Sequence, residues 1–178
     1  TTEKINLTRQ AVSLASEISL FVAARRTTLE STALALGASD PLALPRYPAL
    51  LRGLAEAPGH GFVYLRILDR EGRGSFVRAP RLDPAAEESL TKILEQSHTR
   101  ALGGETVGEL NVGLPPPRPP VAVFSFPLAS LDGTVWATLE GVLDLGPLER
   151  RLQDDAYSGL RVTLFDRDGE VVVSRQTE

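Results

Sequence analysis

From Glu3 to Leu36 the chain contains no proline or glycine. Its apolar residues recur at helical spacing: Ile5, Val12, Ala15, Ile18, Phe21, Val22, Leu29 and Leu36. Glu3, Lys4, Arg9, Gln10, Glu17 and Arg26 fall on other faces. At 1.5 Å per residue this helix would run about 50 Å, longer than one small domain can cover. Part of the stripe therefore needs another partner. Ile18, Phe21 and Val22 are the residues expected to meet a second copy of the helix, or to continue a stalk from a membrane span. Gly37, Asp40-Pro41 and Pro45 end the segment.

Beyond it the period changes. A short helix is predicted from Tyr47 to about Ala57, closed by Pro58-Gly59. Phe62 to Leu68 is rich in aromatic and branched residues and reads as a strand, with a turn over 69–74 and a return strand over Ser75 to Ala79. Pro84 to Leu102 predicts a helix, with Asp83 as cap, proline in the first turn and Glu87 and Glu88 at its positive end. Three strands follow: Val107 to Leu114, Val121 to Ala129 and Val135 to Leu143. The proline run 115–120, broken by Arg118, reads as an extended surface loop, and Leu131-Asp132-Gly133-Thr134 as a tight turn. A helix from Asp144 to about Asp155 and a hairpin from Leu160 to Ser174 complete the chain. The order predicts an α+β fold. A long N-terminal helix packs on a five-stranded antiparallel sheet with a helical insert, and a C-terminal β-hairpin follows.

Composition adds exclusions. There are 178 residues, 42% of them hydrophobic, enough for one domain with a real core. The net charge of −4, from 19 basic and 23 acidic residues, argues against a nucleic-acid surface. Without cysteine there is no disulfide framework, thiolate zinc site or thiol nucleophile. The two histidines, His60 and His98, have no carboxylate cluster around them, and His98 is expected to interact with the end of its own helix. No phosphate loop, nucleophile elbow or metal-spaced histidine pair occurs, so no catalysis, cofactor or metal is expected of this stretch. Asp166 and Asp168 read as solvated turn acids. There is no methionine and the chain starts Thr1-Thr2-Glu3, so it is expected to be a piece of a longer protein.

Five features together carry a resemblance. They are the long first helix, the hairpin with Asp69 to Gly72, the strand with Ser125-Phe126-Pro127-Leu128, the Asp132-Gly133 turn, and the strand ending Gly141-Val142-Leu143-Asp144. Asp166 to Gly169 repeats the pattern of the first hairpin. In this order the chain resembles the Cache family, the extracytoplasmic PAS-like sensor domains of bacterial histidine kinases and chemoreceptors. The resemblance implies a helix at 1–40 that pairs in a homodimer, a PAS-like module at 41–155, and a hairpin at 156–178 leading toward a second module or a membrane span. It implies the periplasmic part of an inner-membrane receptor. A histidine kinase is expected as the parent, with the enzymatic activity elsewhere. A cytoplasmic PAS- or GAF-like partner-binding module is the alternative.

A small-molecule ligand of unknown identity would then sit between the sheet and its insert. Alternation puts Tyr64 and Arg66 on one side with Phe62 and Leu68. Arg66 and Arg78 are anion candidates if they face inward, and solvated arginines if they do not. Trp136, by alternation on the face of Thr138, Glu140 and Val142, is either a ligand platform or core cover. Ser125 could touch ligand or bond locally. Asp144 either holds a ligand or caps the following helix. The family's amino-acid-binding members carry a tyrosine-arginine-tryptophan-tyrosine signature between the first hairpin and the last strands. No aromatic residue occurs here from Val77 to Val123, and only Asp144 matches the carboxylate that holds the ligand amine. Amino-acid sensing is not expected.

Overall fold

A computed structural model describes residues 2–39, 47–59, 61–78, 84–111, 121–152, 162–165 and 171–175. The first helix, α1, runs Thr2–Gly37, and α2 spans Tyr47–Glu56. Strands β1 (Phe62–Asp69) and β2 (Gly74–Arg78) form the first hairpin, and α3 (Pro84–Leu102) is the helical insert. Then come β3 (Val107–Asn111), β4 (Val121–Ala129), β5 (Val135–Asp144), α4 (Gly146–Leu152), β6 (Val162–Phe165) and β7 (Val171–Arg175). The proline run and the Asp166–Gly169 turn lie outside the described residues.

The five-stranded sheet has the order β2-β1-β5-β4-β3, every neighbouring pair antiparallel. β6 and β7 form a separate hairpin. The α+β expectation holds, including the count of five.

Helices cover both faces of the central strands, so β4 and β5 are buried almost throughout. One face carries Leu65, Ile67, Phe124, Phe126, Leu139 and Leu143, packed with Leu14, Ile18, Leu29 and Ala33 of α1 and Tyr47 and Leu51 of α2. On the other, Leu90 and Leu94 of α3 pack with Val63, Val121, Val123 and Val142. α1 approaches the sheet closely at two glycines. A Cβ on Gly141 would stand 2.6 Å from Leu29 Cδ1, and one on Gly37 would stand 2.5 Å from the Ala129 carbonyl oxygen.

The three residues expected to meet a second copy turn inward. Ile18 is buried in the domain's own core, and Phe21 and Val22 pack against it. The side of α1 that faces away carries Leu20 and Leu34, 71% and 73% exposed. A stripe of helical period does not say which of its neighbours lies in the same chain. Here the sheet takes the stripe that was expected to meet a second copy.

Two irregularities reassign faces. The register of β1 against β5 shifts between Phe62 and Tyr64, leaving Val63 as an extra residue. Phe62 therefore joins the α1 side with Leu65, while Val63 and Tyr64 lie on the α3 side. A second shift, where Leu128 pairs with Ala137 but Ala129 with Val135, makes Trp136 the extra residue of β5. Each bulge reverses the alternation beyond it.

Candidate functional site

The α3 face of the sheet carries polar residues in a row that crosses three strands. Arg66 on β1 lies opposite Glu140 on β5, and Glu140 lies opposite Ser125 on β4. Direct cross-strand partners on one face sit close enough for their side chains to meet, and these do. Arg66 Nε donates to Glu140 Oε2 in a buried ion pair. Ser125 Oγ donates to Glu140 Oε1 at 3.1 Å. Glu140 and Ser125 are fully buried and Arg66 is 8% exposed.

One atom of this row is left over. Arg66 Nη2 is buried and has no hydrogen-bond partner among the described residues. Buried donors are nearly always satisfied, so this N–H is a hydrogen-bonding capacity left unused by the described residues, as are those of Arg25 Nε and Tyr47 Oη on other parts of the fold.

One step along β5, Thr138 is fully buried, and its Oγ1 lies 2.8 Å from His98 Nδ1. His98 thus ties α3 to the sheet instead of serving its own helix end. At the other end of the face Tyr64 stacks on Phe76 of β2, with ring centroids 6.1 Å apart and planes 18° from parallel. Phe76 is the cross-strand partner of Arg66 and is 63% exposed. Arg78, opposite Tyr64, is exposed on the edge strand.

Asp144 takes the capping role: its Oδ1 accepts from the Gly146 N–H at 2.7 Å, at the start of α4. Its own N–H donates to the Gly61 carbonyl at 3.0 Å.

Trp136 is on the opposite face from the one alternation gave it. Its indole N–H donates to the Gly37 carbonyl at 3.3 Å, and its ring stacks on Tyr47 at 6.4 Å. It covers the core where α1 ends and is apart from the polar row. The structure thus brings together Arg66, Ser125 and Tyr64 with Arg78 at the rim, and separates Trp136 from them. It adds Glu140, Thr138, His98 and Phe76. The signal for Glu140 was in the sequence: an acid in the middle of the apolar run of β5, whose other acid, Asp144, stands at its end.

Among the described residues no group of three or more histidines and carboxylates could hold a metal ion, and no helix is long and apolar enough to cross a membrane. Two carboxylates in turns are held below the usual range. At Asp69, burial pushes the carboxyl up and is outweighed by the Arg73 and Glu71 backbone N–H groups and the Arg73 guanidinium. At Asp132 the Ser130 hydroxyl and the Thr134 N–H do the same.

No protein-family profile and no curated protein matches the chain. Solved structures do. The ligand-binding domain of the Pseudomonas aeruginosa PAO1 chemoreceptor PctC, in complex with GABA, matches at 18% identity and a TM-score of 0.65, over 97% of this chain and 74% of that one. The ligand-binding domain of the Pseudomonas fluorescens chemoreceptor CtaA, with L-serine, gives 17%, 0.63, 97% and 73%. That of the Pseudomonas aeruginosa chemoreceptor PctB, with L-Arg, gives 17%, 0.68, 97% and 66%. Likeness at such identities establishes a fold.

Proposed function

From a chain with the fold of Cache-type sensor domains, we propose that it is the extracytoplasmic sensor domain of a transmembrane signalling receptor. Its ligand is a small molecule received on the α3 face of the sheet. The observation that carries this reading is the buried Arg66 Nη2 without a partner. The polar row around it is not needed to hold the sheet together, since backbone pairing and the apolar clusters do that.

The sheet offers a short route for the signal. Glu140 faces the ligand side and Gly141, the next residue, holds Leu29 of α1 against the other side. A shift in β5 is thereby felt by α1, whose N-terminal end leads toward the membrane in this reading. We take a homodimer to use the outward side of α1, with Leu20 and Leu34, since Ile18, Phe21 and Val22 are occupied. The flanking segments would carry the membrane connection.

The neighbours are domains of chemoreceptors, which favours a chemoreceptor as parent over the histidine kinase that the sequence suggested. They disfavour the cytoplasmic partner-binding module.

A thermal-shift screen of small metabolites tests the reading. Hits should raise the melting temperature of the unmodified protein and lose that effect in Arg66→Lys, which keeps the charge beside Glu140 but removes the guanidinium fork. Hits indifferent to Arg66→Lys, with the fold intact by circular dichroism, would place the ligand elsewhere.

A further inference from the structure

Resting on that reading, we propose that the ligand beside Arg66 is an uncharged small molecule with a flat apolar body and a carbonyl-type oxygen, not a carboxylate. The charge on Arg66 is already balanced. Its Nε is paired with Glu140, a side chain with no exposure, and the other oxygen of that carboxylate accepts from Ser125. The pair sums to zero, and what remains is the hydrogen-bonding capacity of Nη2.

Among the described residues, a ligand carboxylate on Nη2 would set two anions on the one buried guanidinium of this face, since Arg78 is exposed at its rim. Removing such a charge from water is poorly repaid when the cation is shared. A neutral carbonyl oxygen satisfies the same donor and adds no charge.

Among the described residues, the spacing along β5 keeps Asp144 from acting as a second anchor for a zwitterion. Asp144 lies four residues from Glu140, roughly 13 Å along an extended strand. That far exceeds the separation of the two charged groups of an α-amino acid. Asp144 also spends Oδ1 on the Gly146 N–H.

The apolar part of the ligand is indicated by β2. Phe76 faces Arg66 across the strand pair and lies nearly parallel to Tyr64, yet is 63% exposed. Two near-parallel rings beside an unmet N–H suit a planar body that extends the stack while its oxygen reaches Nη2.

Benzamide and benzoate share a ring and differ in charge, so they make a matched pair of probes. Binding is read from the side-chain Nε signal of Arg66 in 15N-labelled protein. Benzamide should move that signal to saturation, and benzoate should bind roughly tenfold or more weakly. In Glu140→Gln, which frees the guanidinium charge, the order should invert. Benzoate binding as well as benzamide to the unmodified protein would overturn the inference and leave the ligand-site reading standing. So would an unchanged order in a folded Glu140→Gln. If that variant does not fold, the comparison in the unmodified protein decides. Failure of both probes to move the Arg66 signal also overturns the inference, and the metabolite screen then decides the reading by itself.

Discussion

Arg66 and Glu140 are directly opposed residues of β1 and β5, ion-paired on the face whose β3, β4 and β5 strands pack against α3. Each depends on the other. Glu140→Ala leaves a buried guanidinium unpaired and is expected to destabilise the fold by about 3–5 kcal/mol. The double replacement Arg66→Met with Glu140→Leu removes both charges. It should lie near neutral or stabilise by about 1–4 kcal/mol, while abolishing ligand binding. Urea denaturation of the single and double variants measures both.

Gly37 and Trp136 fix the end of α1 against the sheet. Gly37→Ala would drive a Cβ into the Ala129 backbone, with the nitrogen at 2.8 Å as well as the oxygen at 2.5 Å. Backbone cannot move aside as a side-chain tip can. A loss of about 1–3 kcal/mol is expected, with reduced burial of Trp136 read by its fluorescence.

The outer side of α1 and its inner side should respond differently to charge. Ile18→Asp puts a carboxylate into the core and is expected to unfold the domain. Leu20→Glu with Leu34→Glu changes exposed positions and should leave the fold intact. If α1 joins two copies, sedimentation of the second variant shows monomer. An unchanged mass removes the dimer from the account.

Asp69 gives the acid limb of stability a sign. Its folded carboxyl lies below the ordinary 3.8, so the folded state binds the proton less readily than the unfolded chain. The stabilisation is complete above the unfolded value and is lost as pH falls through the lower folded one. Asp69→Asn should weaken stability at neutral pH and flatten its fall below about pH 4. An acid limb of unchanged slope would assign the effect to other carboxylates.

The sequence made the elements and their order legible because helix period, strand composition and Gly- and Asp-marked turns are local signals. It did not reveal the faces correctly at Phe62 and Trp136. Alternation assumes an unbroken pleat, and a bulge at Val63 or Trp136 leaves no mark in the pattern. Arg66 was legible as a candidate, but its partner was not. Glu140 is 74 residues away, and only the strand register brings the two together. Ile18, Phe21 and Val22 show the matching limit for helices, where periodicity names a stripe and not its neighbour.

Arg25 joins α1 to the turn before β1. Its guanidinium lies over Phe21 at 3.9 Å and donates to the carbonyls of Phe21 and Gly59. Arg25→Ala should speed amide exchange over Gly59 to Val63 while leaving β4 protected. Equal exchange in both proteins would show that the turn holds without it.

A crystal structure with a small molecule from the metabolite screen decides whether the α3 face receives the ligand. Density is expected on the α3 face of the sheet, with an oxygen within hydrogen-bond distance of Arg66 Nη2 and the Arg66–Glu140 pair intact. Density away from that face, with Nη2 still unpartnered, would contradict the proposed site.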